Sequence, residues 1–293
     1  MNVSNHICCV VFKITSNITY THKIAAVTVY CKKIYSLNNI PIKKINKYKS
    51  MKKRDLILLF ILVILFAGIT LFRHHQQQPQ GAKYNFVSIS HEIPDVLLDI
   101  RYHGTYNFVG ARVDGYNEPI ALMTQQAVDS LRCVSEDLKA QGYRLKIFDA
   151  YRPQRAVDHF VRWAKDVDDT ITKQYFYPDL AKDRLFPEGF ICERSSHTHG
   201  STIDLTLFDM STEREVDMGG TFDWFGFSSY PSYTDLTADQ LAMRQLLRET
   251  MMRHGFKPFD TEWWHFTLAN EPYPDTFFDF PVSLSSVKRI GSH

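Results

Sequence analysis

The chain has 293 residues, enough for one or two domains, and its 34 Lys and Arg residues nearly balance 32 Asp and Glu residues. The resulting net charge of +2 gives no general electrostatic reason to expect a nucleic-acid partner. The charge is unevenly distributed, however, because residues 1–50 contain eight Lys and no Asp or Glu.

Residues 1–50 show no clear periodicity and contain no Gly, so we expect no folded domain there. One interpretation is a basic cytoplasmic tail. The other is an upstream extension from a misplaced start codon. We favour the second, because Met51 is followed by Lys52, Lys53 and Arg54 and then by an apolar run, as at a fresh N-terminus.

The apolar run, Leu56 to Phe72, is seventeen residues long and carries no charge. It is long for a signal-peptide core and slightly short for a membrane span, and no Ala-x-Ala cleavage site follows it. Residues 51–73 are therefore predicted to be an uncleaved signal anchor in the inner membrane, with a cleaved signal peptide as the alternative. The basic residues before the run would keep the N-terminus in the cytoplasm, so the rest of the chain would be exported to the periplasm or another extracytoplasmic space.

Residues 74–83 are predicted to be a polar linker, and residues 84–293 a single folded domain. In that domain the patterns predict strands at Tyr84–Ser90 and Tyr143–Asp149, an apolar run at Val96–Tyr102, and helices from Thr124 to Gly142, from Gln154 to about Asp166 and from Thr237 to His254. Thr237 and Gln240 form a capping-box pattern at the start of the last helix. Helices and strands mix without a regular βαβ alternation, so we predict an α+β fold with a central, mostly antiparallel sheet flanked by helices.

The densest chemical signal lies between Ser195 and Leu207. His197 and Asp204 are a nitrogen and an oxygen ligand of the kind that Zn²⁺ accepts, and Gly200 between them permits a turn. Residues 202–207 alternate polar and apolar, which is typical of a half-buried strand with Asp204 on the face opposite the core.

A second segment, Glu262-Trp-Trp-His265, supplies what a catalytic metal site still lacks. His265 would be the third protein ligand, and Glu262 the general base that takes a proton from water. Residues three apart in a strand point to opposite faces, so Glu262 must lie in a loop before the strand, or the chain must bend between them.

These motifs, with Asp149-Ala-Tyr-Arg-Pro153 upstream, resemble the D-alanyl-D-alanine dipeptidases, the VanX-like branch of the zinc D,D-peptidases. The resemblance covers roughly Phe86 to Pro281. One position departs from the family pattern, which usually has Ala where this chain has Thr202.

The resemblance implies one Zn²⁺ per chain, held by His197, Asp204 and His265, and hydrolysis of D-alanyl-D-alanine in peptidoglycan metabolism. It selects His197 over the neighbouring His199 as the ligand. It also implies that Arg152 stabilises the oxyanion, that Ser195 helps to bind the substrate carboxylate and that Asp223 meets the substrate ammonium group. From the residues themselves we expect Asp149 to form an ion pair with Arg152, either structural or orienting, and to belong to the substrate-binding site.

Several other residues have a purely structural interpretation. Trp263 and Trp264 fit a core or pocket wall, Cys133 fits a small core residue, and Cys192 fits a structural thiol that could in principle pair with Cys133. Two other functions use the same metal ligands: a D,D-carboxypeptidase or endopeptidase acting on peptidoglycan stems, and a non-catalytic binding module stabilised by metal. A serine hydrolase is disfavoured, because the chain has no Gly-x-Ser-x-Gly motif.

Overall fold

The computed structural model describes residues 79–287 and the single residue Val63. The predicted extension and nearly all of the predicted membrane segment therefore lie outside the described residues, and both stay predictions. Within the described part, no helix is both long enough and apolar enough to cross a bilayer.

Mixed α and β structure fills residues 79–287, with a sheet at the centre and the two longest helices packed on it. The strands are β1 Phe86–Ser88, β2 Leu97–Leu98, β3 Leu122–Thr124, β4 Tyr143–Asp149, β5 Thr202–Asp209, β6 Arg214–Glu215, β7 Phe256–Pro258 and β8 His265–Leu268. The α-helices are α1 Gln80–Lys83, α2 Ile89–Glu92, α3 Gln125–Lys139, α4 Gln154–Lys165, α5 Lys173–Phe176, α6 Ala238–Arg253 and α7 Leu284–Val287. Short 3₁₀ turns lie at Arg101–His103, Lys182–Arg184, Ser196–His199 and Phe227–Ser229.

The main sheet has six strands in the order β2-β4-β5-β8-β7, with β6 paired to the far end of β5. Only the β2–β4 pair is parallel, and the other pairs of this sheet are antiparallel. β1 and β3 form a separate antiparallel pair. The long central strand β5 is thus flanked on both sides, a position that suits residues whose placement must be rigid.

Helix α3 follows its predicted apolar stripe. Ala127, Leu131, Val134 and Leu138 are fully buried, and burial of each larger side chain contributes about 1.5–3 kcal/mol. Helix α6 begins with the predicted capping box, in which Thr237 Oγ1 accepts from the Gln240 amide and the Gln240 side chain accepts from the Thr237 amide. Local sequence signals therefore determine both long helices that border the sheet.

Three local predictions are wrong. The strand expected over Tyr84–Ser90 is limited to Phe86–Ser88, because the chain turns into α2 at Ile89. Residues 80–83, expected in the linker, form α1, where the close packing of Gly81 against Phe280 and Val287 buries the backbone.

Cys133 is the third correction. It is exposed, because it lies off the stripe that α3 turns to the core, and its thiol only approaches the Asp129 carbonyl. Cys192 is exposed as well, and both are free thiols, so this structure contains no disulfide between them.

Candidate metal centre and active site

Strand register aligns three of the candidate side chains. Asp204 of β5 is paired with Asp149 of β4 on one side and with His265 of β8 on the other. The β4 pairing shifts by one residue between Ile147 and Asp149, which brings Asp149 level with Asp204. One row across three adjacent strands therefore carries two carboxylates and an imidazole.

The predicted strand is β5, but both of its faces are buried. Ile203, Leu205 and Leu207 face the core as expected, while Asp204 is 2% exposed on the opposite face. An aromatic layer covers that opposite face, with Phe222 stacked on Phe148 and edge-on to Trp264. Asp204 consequently projects into a dry environment, in which charged partners interact strongly.

His197 reaches the same place from the 3₁₀ turn that precedes β5. Ser195 caps this turn, since its hydroxyl accepts from the His197 amide at 3.3 Å. Gly200 ends the turn with φ +81°, and a Cβ there would lie 2.1 Å from the Phe86 ring. Only glycine meets both conditions, so the local sequence fixes how His197 enters the site.

The three predicted ligands converge. His197 Nε2 lies 3.2 Å from Asp204 Oδ2 and 3.2 Å from His265 Nδ1, and His265 Nδ1 lies 3.1 Å from Asp204 Oδ1. Ligands held about 2.0–2.1 Å from a tetrahedral zinc ion are themselves about 3.3 Å apart. The spacing of this trio therefore matches the edges of a zinc coordination shell.

The protonation of His197 also fits a cation. Its Nδ1 lies 2.7 Å from the Ala150 carbonyl, which can only accept, so Nδ1 carries the proton. Burial lowers the pKa of His197, which keeps the ring neutral and leaves a lone pair on Nε2. That lone pair faces the Asp204 carboxylate at 3.2 Å. Two acceptors that face one another at this distance need a proton or a metal cation between them, and all three side chains converge on the same point, so the residues fit the predicted metal.

Glu262 lies in the turn immediately before β8, which resolves the geometric difficulty posed by its spacing from His265. Its Oε2 is 3.5 Å from His265 Nδ1, beside the ligand trio. Burial raises the pKa of Glu262, and the negative charge of Asp204 adds to this effect, while His265 and Arg152 oppose it. A carboxylate with a raised pKa beside a metal is suited to accept a proton from water.

Arg152 lies at the predicted junction between β4 and α4. Its Nε donates to Asp149 Oδ2 at 2.9 Å, and its Nη2 approaches Asp204 Oδ2 at 3.5 Å. Tyr116 donates to the other oxygen of Asp149 at 2.6 Å. Asp149 is 1% exposed and bonded through both oxygens, so the structure places it as the holder of Arg152. Contact of Asp149 with substrate stays a prediction.

Asp223 belongs to a loop between β6 and α6 and has a left-handed backbone, with φ 61°. Tyr102 donates its hydroxyl to both carboxylate oxygens, at 3.1 and 3.0 Å. Burial raises the pKa of Asp223 well above its usual range, and the charge of Asp204 raises it further, while Arg152 opposes the shift. Asp223 therefore shares the electrostatic environment of the metal trio without contacting its ligands.

Comparison with known proteins agrees with this geometry. A family model described as D-ala-D-ala dipeptidase, of the peptidase M15 family, matches residues 82–283. The chain belongs to this peptidase family.

Relatives to which this M15 peptidase is similar carry the name D-alanyl-D-alanine dipeptidase. The relative from Enterococcus faecalis (strain ATCC 700802 / V583) is 38% identical over 198 residues, covering 68% of this chain and 98% of the relative. The relative from Enterococcus faecium is 36% identical over 197 residues, covering 67% and 98%. The relative from Streptomyces coelicolor (strain ATCC BAA-471 / A3(2) / M145) is 36% identical over 199 residues, covering 68% and 98%.

The second histidine of the motif lies outside the ligand trio of this M15 peptidase. His199 Nδ1 contacts Glu271 Oε1 at 3.2 Å, and its ring packs edge-on against Phe277. His199 therefore anchors the turn that carries His197 to the C-terminal segment. Trp263 and Trp264 are buried, which agrees with their predicted place in the core or pocket wall.

Sequence reasoning missed several groups that support the site. Tyr102 and Tyr116 contact Asp223 and Asp149 from more than thirty residues away, and the Ser196 hydroxyl lies 3.4 Å from His265 Nε2. The tyrosines fall in no motif, so no local signal could have found them. Ser196 could have been found, because a hydroxyl next to a metal-binding histidine is a common second partner for such sites.

Proposed function

We propose that this M15 peptidase hydrolyses D-alanyl-D-alanine to two molecules of D-alanine, with one zinc ion held by His197, Asp204 and His265. The observation that carries the proposal is the placement of Glu262 and Arg152 beside that trio, each 3.5 Å from one of its members. A module that merely held a metal would need neither residue. The names of the relatives, which this chain matches over nearly their whole length, supply the substrate.

The protein groups divide the chemistry among them. A zinc ion held by His197, Asp204 and His265 would act as a Lewis acid and lower the pKa of water. Glu262 takes a proton from the attacking water, whose oxygen bonds to the scissile carbonyl carbon, and passes that proton to the amine that leaves when the peptide bond breaks. Arg152, fixed by Asp149, offers a guanidinium to the negative charge that develops on the attacked carbonyl oxygen. Because this charge exists mainly in the transition state, Arg152 accelerates the reaction more than it tightens binding.

Recognition of a free dipeptide requires one group for each charged end. We assign the ammonium to Asp223 and the carboxylate to the Ser195 region, on the strength of their places beside the trio. A longer stem peptide has an amide where the dipeptide has an ammonium. Its binding would leave Asp223 buried without a cationic partner, which favours the dipeptide.

The test uses Glu262→Gln, which removes the base and preserves the shape. We expect zinc content to stay near that of the wild type and kcat for D-alanyl-D-alanine to fall by at least about a hundredfold, the usual size of general-base assistance. The matched control is Glu249→Gln on the surface of α6, which should behave as wild type. Both are assayed with dipeptide and with a stem pentapeptide, before and after chelator treatment.

Full activity in Glu262→Gln would show that Glu262 is not the general base. Loss of zinc in this variant would show that Glu262 is a metal ligand. If the wild type hydrolyses the pentapeptide faster than the dipeptide, the protein is a carboxypeptidase and not a dipeptidase. Indifference to chelator together with absence of bound zinc would refute the metal mechanism.

A further inference from the structure

Residues 218–230, the central part of the connection from β6 to α6 and here called the loop, carry Asp223 near their middle. Asp223 is buried, has a strained left-handed backbone and is held on one side by Tyr102. A residue with φ 61° that is not glycine keeps this conformation only where its surroundings enforce it. The loop must therefore be fastened at points other than Asp223 itself.

Arg244 of α6 provides such fastening. Its Nε donates to the Met218 carbonyl at 2.6 Å, and its Nη2 and Nη1 donate to the carbonyls of Ser228 and Tyr230 at 2.9 and 3.3 Å. One guanidinium thus bonds to the backbone at both ends of the loop. Five donors in a rigid plane make arginine suited to this task, whereas a lysine ammonium is a single point charge on a flexible stem.

The environment of Arg244 is unusual for a charged side chain. It is 8% exposed, and among residues 79–287 its guanidinium forms no ion pair, so backbone carbonyls are its direct partners. A Cβ on Gly220 would lie 3.2 Å from its Nη2, so the loop packs tightly over the group. Burial lowers the pKa of Arg244 to about 10, which still leaves it charged at neutral pH. Burying an unpaired cation is costly, which suggests that the position serves more than packing.

Arg244 also connects the loop to the other side of the site. Its guanidinium lies over the Trp263 ring at 5.4 Å, and the Trp263 amide donates to the Ser229 carbonyl at 2.9 Å. Trp263 is the residue after Glu262. The same side chain therefore touches the loop that bears Asp223 and the turn that bears Glu262.

We propose that Arg244 is a positioning residue for substrate selection, which holds Asp223 where it meets the ammonium group of the dipeptide. The inference rests on the proposed function for its substrate, and on the contacts of Arg244 for its mechanism. Loss of Arg244 would remove three hydrogen bonds to the backbone of the loop, leave the bond from Trp263 to Ser229, and let Asp223 move. Small displacements of a substrate-positioning group can cost up to about a hundredfold in rate.

The experiment compares Arg244→Met and Arg244→Lys with Arg253→Met, a matched control on the exposed surface of the same helix. Two compounds are used: D-alanyl-D-alanine, and N-propionyl-D-alanine, the same dipeptide without its ammonium group. Each variant is measured for kcat and KM, or for an inhibition constant where turnover is too slow. Zinc content is measured on the same samples.

We expect Arg244→Met to raise KM for the dipeptide by about tenfold, because three hydrogen bonds from the guanidinium to the loop are lost together. Zinc should be retained, and kcat should change less, because it depends mainly on the metal side. The preference for the dipeptide over its deaminated analogue should fall by a similar factor. Arg244→Lys should lie between Arg244→Met and the wild type. Arg253→Met should change neither value. A purely structural role would weaken the binding of both compounds by the same factor and leave the preference for the dipeptide unchanged. That result would overturn the proposal.

A double-mutant cycle with Asp223→Asn tests the connection directly. If Arg244 acts through Asp223, Arg244→Met should add little further loss of preference in the Asp223→Asn background. Full additivity of the two effects would refute the inference.

Hydrogen exchange supplies a readout independent of turnover. Amides of residues 218–230 should exchange faster in Arg244→Met while those of β5 do not. Unchanged exchange in the loop would show that Arg244 does not hold it in place, which would overturn the proposal. A wild-type protein that cleaves no dipeptide would refute the proposed function, whereas the exchange result would still decide whether Arg244 holds the loop.

Discussion

The metal side and the substrate side of this site are built from different kinds of structure. On the metal side, Asp149, Asp204 and His265 lie in one row across three hydrogen-bonded strands. On the substrate side, Asp223 lies in a loop outside the sheet, where Tyr102 bonds its carboxylate and Arg244 bonds the backbone on both sides of it. The first arrangement depends on strand register, and the second on a few long-range contacts.

The substrate side of the site can change more easily than the metal side. A strand in the centre of a sheet cannot move one residue without shifting a whole ladder of hydrogen bonds. A loop can be moved by losing one or two side-chain contacts. We therefore expect substitutions on the metal side to abolish chemistry, and substitutions on the substrate side to alter selectivity.

The largest expected effect is that of His265→Ala. With one of three ligands removed, zinc and activity should be lost together, in contrast to Glu262→Gln, which should keep the metal. Elemental analysis and the dipeptide assay on the same preparation measure both. His91→Ala serves as the control, because His91 is a surface residue with an 84% exposed side chain. Zinc retained at wild-type affinity in His265→Ala would show that the metal binds elsewhere.

Arg152→Lys should have the next largest effect. It keeps the positive charge beside buried Asp149 but loses the planar fork that reaches both Asp149 and Asp204. We expect kcat to fall by about a hundredfold to a thousandfold, as for removal of an oxyanion-stabilising donor, with zinc retained. Arg155→Lys, at an exposed arginine three residues on, is the matched control. An unaltered kcat would mean that Arg152 has only a structural role.

Thr202→Ala should have the smallest effect, although it lies on the metal side. The Thr202 hydroxyl shares a 2.9 Å hydrogen bond with the Thr267 hydroxyl on β8. Removing it should lower the free energy of unfolding by about 1 kcal/mol and leave zinc content and kcat unchanged. Chemical denaturation and the standard assay check this. A large loss of activity would show that the β5–β8 pairing is less rigid than we infer.

The same contrast explains what the sequence could predict of the fold. Helices α3 and α6 follow from an apolar stripe and from a capping box, both of which are local patterns. The end of β1 at Ser88 and the packing of α1 could not be read in this way, because contacts with Phe280 and Val287, nearly two hundred residues away, shape that region. The burial expected for Cys133 is wrong for a simpler reason. Cys133 is next to Val134 of the buried stripe in sequence, but one residue along a helix turns the side chain by about 100°, which leaves Cys133 exposed.

The site divides in the same manner. His197, Asp204, Glu262 and His265 fall in short motifs of metal-binding residue types, and the structure brings all four together, with their roles left to the tests above. The partners that orient them lie outside any motif. Tyr102, Tyr116 and Arg244 reach the site through tertiary contacts, and a tyrosine or arginine in isolation has no pattern that distinguishes it from other surface or core residues.

The close fit between Gly200 and Phe86 has a practical consequence for anyone who trims this chain. The Phe86 ring, which lies where a Cβ of residue 200 would be, also packs edge-on against Phe278 and Phe280. Both ends of the catalytic fold therefore meet behind the turn that carries His197. An expression clone that starts after Phe86, or stops before Phe278, would remove the backing of that turn while leaving every metal ligand in the sequence.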